Sequence, residues 1–91
     1  MWNKTNHDFG DQPEGQWLTT TFEYLGDKKI RNIEPSCDCT THKVNGSLLL
    51  VLWKTKVKRR ERDISTDLTI EYTDGSIDIL ELKAHVITNN T

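Results

Sequence analysis

Between Ile64 and Tyr72 the large apolar side chains Ile64, Leu68, Ile70 and Tyr72 all stand on even positions. This period of two constrains the fold more than any other feature of the chain. An extended strand puts all four on one face, whereas a helix would turn Ile70 to the side opposite Leu68. The same alternation runs from Gln16 to Leu25, with Leu18, Thr20, Phe22 and Tyr24 on one side and Trp17, Thr19, Thr21 and Glu23 on the other. Threonine and aromatic residues suit such a half-buried pleated surface.

Thr73-Asp74-Gly75-Ser76 carries the Asp-Gly signal of a hairpin turn. The segment after it begins with Ile77 and Ile79 on odd positions and continues with Leu80, Leu82, Ala84 and Val86 on even ones, a change of phase that predicts a bulge near Ile79. Ile30 and Ile33 are three apart with Pro35 close behind, which leaves no room for a helix and predicts a bulge that turns both inward. Leu48 to Trp53 is a continuous apolar run, expected to be a central strand covered on both faces. Beyond it, Lys54, Lys56 and Lys58 alternate with Thr55 and Val57, so the strand is expected to run on past the core before a charged hairpin. Residues 1–15 are polar and broken by Gly10, Pro13 and Gly15, which predicts only a short entry strand, with residues 1–6 as a flexible or docking arm. Six or seven short strands, turns about every ten residues and no helical period describe an all-β sandwich.

Ninety-one residues make one domain, residues 1–91, with a modest core. The apolar fraction of 34%, the charged fraction of 29% and the net charge of −2 fit a globular protein and give no general case for nucleic acid. The polar N-terminus lacks the apolar run of a signal peptide, and no apolar stretch is long enough for a membrane helix. The expectation is therefore a chain made in the reducing cytoplasm, with no membrane partner. The glycosylation-type triplets Asn3-Lys4-Thr5, Asn45-Gly46-Ser47 and Asn89-Asn90-Thr91 are then simply polar surface.

Chemistry-bearing residues are few. Cys37 and Cys39, the only cysteines, lie two apart. On a strand they would share a face, as a buried pair of small apolar thiols, as a local disulfide, or as half of a metal site completed by His42. A reducing compartment favours the thiols, and zinc would need a fourth ligand that nothing in the sequence supplies; no metal and no cofactor are expected. A nucleophilic cysteine would need a depressed pKa and an aligned base, for which a strand-borne pair offers no setting. Asp63, Asp67, Glu71, Asp74, Asp78 and Glu81 are spaced as the polar faces of two strands, so no enzyme activity is expected.

Two features point outward. Lys54, Lys56, Lys58, Arg59, Arg60 and Arg62 put six cations into nine residues. Such a cluster guards an edge against aggregation, meets an acidic protein surface, or meets nucleic acid phosphates; the acidic remainder of the chain and the lack of paired aromatics weigh against the last. Trp17, on the polar face of its strand, is the candidate aromatic anchor at an interface.

A resemblance adds to this reading. Asp8-Phe9-Gly10, Gly15, Phe22, Gly26, Ile30, Ile33 and above all Pro35-Ser36-Cys37-Asp38-Cys39-Thr40 resemble a bacterial domain family of unknown function whose signature is a Ser-Cys-Gly-Cys-Thr run. Those domains are similar to the abnormal-spindle/Hydin and major sperm protein group. The resemblance spans nearly the whole chain and implies an immunoglobulin-like β-sandwich of about seven strands, with no catalytic residues. Asp38 stands where the family has glycine, and the short Thr40 to Gly46 connection predicts one strand reduced to a loop. A free-standing copy is similar to the immunoglobulin-like accessory proteins of bacteriophages. That implies a structural or adhesive module docking on a protein partner in a larger assembly such as a virion, or self-associating in many copies. The rival expectation is a nucleic-acid or regulatory binding module working through residues 54–62.

Overall fold

The structure, a computed structural model, describes residues 1–88; the Asn89-Asn90-Thr91 triplet lies outside the described residues. Seven strands follow one another: β1 (Asn6–Pro13), β2 (Trp17–Glu23), β3 (Ile30–Pro35), β4 (Thr40–Asn45), β5 (Leu48–Lys54), β6 (Arg62–Tyr72) and β7 (Ile77–Ile87). They form one sheet in the order β1-β7-β6-β3 and a second in the order β2-β5-β4. Every pairing is antiparallel except that of β1 with β7. With β2 to β7 taken as strands B to G, these are the B-E-D and C-F-G groupings of an immunoglobulin-like sandwich, and β1 is a first strand carried over to the C-F-G sheet.

The inward faces meet in a core built from Leu18 and Phe22 of β2, Leu49, Val51 and Trp53 of β5, Leu68, Ile70 and Tyr72 of β6, and Leu80, Leu82, Ala84 and Val86 of β7. Each such side chain contributes about 1.5–3 kcal/mol of transfer free energy, which is what holds two thin sheets together. The molecule is long, 51 × 20 × 18 Å, with a radius of gyration of 14.3 Å. A compact chain of this length would measure about 12 Å; β6 and β7, at eleven residues each, are the longest strands.

Several segments differ from the sequence-based reading. Residues 1–6 do not stand off as an arm. Trp2 is 6% exposed, bridges to Tyr24, and its indole Nε1–H donates to the Tyr72 hydroxyl at 2.8 Å. An indole that can bury its ring and also satisfy its N–H gains more inside than in water. The entry strand is a full eight residues, because a register shift between Asp8 and Asp11, with Gly10 at φ 71°, lets β1 follow β7 beyond the glycine. β4 is a true strand and not a loop, since all six of its residues pair with β5.

The bulge in β3 is present between Ile30 and Asn32, and both Ile30 and Ile33 pack against the core. The bulge near Ile79 is absent. The β6–β7 register is unbroken from Arg62↔Val86 to Glu71↔Ile77, so even positions of β7 face inward throughout. Asp78, and not an isoleucine, takes the inward place at that end, accepting the Tyr72 O–H at 2.6 Å, while Ile77 and Ile79 face solvent. Tyr72 thus links indole and carboxylate in a chain of two hydrogen bonds. Burial, and then the bond to Asp78, push its phenol well above the usual value of 10.

Candidate functional site

Two surfaces carry the residues that sequence reasoning singled out. The first is the outer face of the β2-β5-β4 sheet. β5 is central in that sheet but is buried on one face only: Leu49, Val51 and Trp53 point inward, while Leu48 and Leu50 are 43% and 37% exposed and Leu52 is half-buried. The expected two-sided burial fails because the domain has two layers, and neither supplies a cover for the outside of this sheet. Trp17 pairs with Lys54 at the end of the same face and is 52% exposed. The Lys54 ammonium stands 5.4 Å from the Trp17 ring centroid, a cation–π contact worth about 0.5–1 kcal/mol at an exposed site. On the other flank Lys43 of β4 pairs with Leu50. The face is therefore a leucine stripe, ended by an indole and flanked by two lysines.

The second surface lies at one end of the sandwich, where three connections cross between the sheets: residues 14–16, 36–39 and 55–61. Cys37 and Cys39 are here, in the turn between β3 and β4 and not on a strand face, and they are joined by a disulfide. This corrects the expectation of reduced, buried thiols. Pro35 ends β3, and the chain must reverse within four residues to start β4 in the other sheet, which brings the two cysteines to a Cα separation of 5.2 Å, well within disulfide range. The Cys39 N–H donates to Cys37 Sγ at 3.2 Å, and Thr40 Oγ1–H donates to the Cys37 carbonyl at 3.2 Å. With both sulfurs spent on each other, this pair offers a metal no thiolate, and His42 stands exposed on β4.

The cations of residues 54–62 are not a hairpin, because β5 and β6 belong to different sheets and the strand ends at Lys54. Nor do they act alike. Arg62 is turned inward: Nη1 donates to Glu14 Oε1 and to the Arg60 carbonyl at 3.0 Å each, and Nη2 to the Lys56 carbonyl at 2.7 Å. Lys54 leans on Trp17. Lys56, Lys58, Arg59 and Arg60 remain exposed on the connection.

Glu14 organises this connection and was not legible in the sequence. Its carboxylate accepts the backbone N–H groups of Lys58, Arg59 and Arg60 at 3.1, 2.9 and 3.0 Å as well as the Arg62 guanidinium, and its side chain is only 9% exposed. Burial pushes its carboxyl up, but the Arg59 and Arg60 amides and the Arg62 charge outweigh it and leave the pKa below 4.5. Between the crossovers lies a cleft of about 170 Å³, lined by both cysteines together with Lys54, Lys56, Lys58 and Arg62; none of the residues lining it is acidic.

The comparisons bear on the fold. No family model and no curated protein matches the sequence. Two solved structures share the architecture. An endo-fucoidan hydrolase of glycoside hydrolase family 107 superposes on 99% of this chain with a TM-score of 0.67 and 13% identity. A 2,6-sialyltransferase of a Photobacterium species superposes on 94% with a TM-score of 0.54 and 9% identity. The chain spans 14% and 18% of those two proteins, so what is shared is a β-sandwich within longer chains.

Proposed function

We propose that this chain is a non-enzymatic docking module that binds through the outer face of its β2-β5-β4 sheet to a protein surface of a larger assembly. The observation that carries the reading is the stripe of Leu48, Leu50 and Leu52, which leaves water only against a partner. Scattered exposed apolar residues are ordinary, but a contiguous row beside an exposed indole is the composition of an interface centre. Lys43 and Lys54 at the flanks call for carboxylates on the rim of the partner's apolar patch, and Glu23, which pairs with Leu48 on the same face, for a cation at that end. The resemblance to phage accessory sandwiches makes a virion the assembly to test first.

Sedimentation decides the matter. Unaltered protein and the Leu50→Glu variant are each mixed with purified virions, or with the large particles of the source, and separated on a density gradient. The reading expects unaltered protein in the particle band and the variant in the soluble fraction. Unaltered protein that stays soluble overturns it, and retardation of DNA or RNA that is lost on replacing Lys56 and Lys58 would establish the rival reading.

A further inference from the structure

We propose that the Cys37–Cys39 disulfide is a site of reversible thiol–disulfide exchange with small anionic thiols, whose carboxylates are received by the lysines of the crossover cleft. Three observations converge here. The disulfide closes a loop of only two residues' separation, so it does little to restrain the unfolded chain and has small value as a staple. It sits in a turn that lines a cleft, with both cysteines half-buried and neither sealed in the core. The other charged groups lining that cleft are Lys54, Lys56, Lys58 and the Glu14-paired Arg62; they outnumber the one carboxylate beside the disulfide, that of the exposed Asp38, 4.0 Å from Cys37 Sγ. Cationic surroundings attract an anionic thiol and stabilise the thiolate that exchange releases.

The step balances with the thiol as its only co-reactant. The incoming thiolate, its proton already lost to solvent, attacks Cys39 Sγ; the sulfur–sulfur bond breaks and its electron pair goes to Cys37. Cys37 is the leaving sulfur because it already accepts the Cys39 N–H at 3.2 Å, a bond that strengthens on a thiolate and acts at closer range than the solvent-exposed Asp38 carboxylate, whose Oδ1 stands 4.0 Å from the same sulfur. The product is a mixed disulfide on Cys39 with its carboxylates beside Lys56 and Lys58. A second thiolate attacks the incoming sulfur of that mixed disulfide, takes it away as a small-molecule disulfide and leaves the Cys39 thiolate, so the protein dithiol results; the oxidised form of the same thiol reverses both steps. This inference does not rest on the docking reading, which concerns another face.

The test uses reduced glutathione as the anionic probe, cysteamine as its cationic counterpart and 2-mercaptoethanol as the neutral one. The full chain is treated with each at low ionic strength, quenched with an alkylating agent and followed by intact mass, with rates expressed per thiolate. Glutathione should react about tenfold faster than cysteamine, with 2-mercaptoethanol between them. The ratio should fall toward one in about 0.5 M salt. It should invert in a Lys56→Glu, Lys58→Glu double variant, and the salt series on the unaltered chain gives the answer even if that variant misfolds. Peptide mapping of the trapped adduct should find glutathione on Cys39. Equal rates for the three thiols, a preference indifferent to salt, or an adduct confined to Cys37 would overturn the assignment.

Discussion

Glu14 and Arg59, 45 positions apart in the sequence, are joined by a hydrogen bond of 2.9 Å from the Arg59 backbone N–H to Glu14 Oε2. Arg59 is also the only non-glycine residue among those described with positive φ, at 56°. A left-handed arginine costs free energy that its own side chain does not repay, so the carboxylate across the crossover is what holds the connection in that shape. The cationic cleft beside the disulfide exists because this connection is ordered.

Glu14→Ala should therefore loosen residues 55–61 more than the rest of the molecule. The expected result is a melting temperature lower by about 5 °C and faster tryptic cleavage after Lys58, Arg59 and Arg60, read by mass spectrometry. Because the folded pKa of Glu14 lies below its ordinary 4.5, its contribution is present above that value and disappears as pH falls through the folded pKa. Melting curves at decreasing pH should show the unaltered protein losing an acid-dependent increment that the variant lacks.

Tyr72→Phe removes the hydroxyl that accepts from Trp2 and donates to Asp78. It leaves a buried indole N–H and a carboxylate without partners, and denaturant unfolding should show a loss of about 1–3 kcal/mol. In the unaltered protein the raised phenol pKa means that this contribution is complete below 10 and is lost as pH rises from there toward the folded value. Tyrosinate absorbance should accordingly lag for one tyrosine until the protein unfolds in alkali.

Gly26→Ala should also weaken the docked N-terminus. A Cβ at Gly26 would run into the Tyr24 ring and come within 2.8 Å of the Met1 nitrogen. Tyr24 in turn packs against Trp2, with ring centroids 5.1 Å apart and the planes tilted by 49°. Overpacking of this kind costs about 1–3 kcal/mol, and the shift should appear in tryptophan fluorescence as partial exposure of Trp2.

Leu50→Glu, on the open face of β5, should change the unfolding free energy by no more than about 0.5 kcal/mol while abolishing association with the particle. Unfolding curves and the density gradient together separate a docking role from a structural one. A large loss of stability would place Leu50 in the core after all.

Reduction of the disulfide should leave the sandwich folded. In the chain-entropy picture a loop this short is worth about 1.5 kcal/mol, and melting curves with and without a phosphine reductant should differ accordingly.

Much of the architecture could be read from period two alone. β2 and β6 carry their alternation openly, and Ile30 and Ile33 announce the bulge in β3 because no regular strand puts both inward. The misreadings in β5 and β7 share one cause: a polar side chain occupying an inward position, or an apolar one an outward position. Local pattern places Asp78 at the surface and Ile77 and Ile79 in the core, since nothing near them in sequence shows that Tyr72 supplies a partner for a carboxylate at that site. The leucine run of β5 could have been read correctly by counting layers, because a domain of this length has no third layer to cover an outer face.

What the chain determined locally is the extended backbone, the turn at Asp74-Gly75, and which side of most strands turns inward, because these follow from side-chain volume and backbone freedom over a few residues. Tertiary structure alone decided that Glu14 would close the far connection, that Trp2 would fill the core, that two cysteines would meet in a turn among lysines, and that one row of leucines would stay in water. Each of these depends on groups brought together across tens of residues, where the deciding quantity is the burial and hydrogen bonding of a partner that no local pattern specifies.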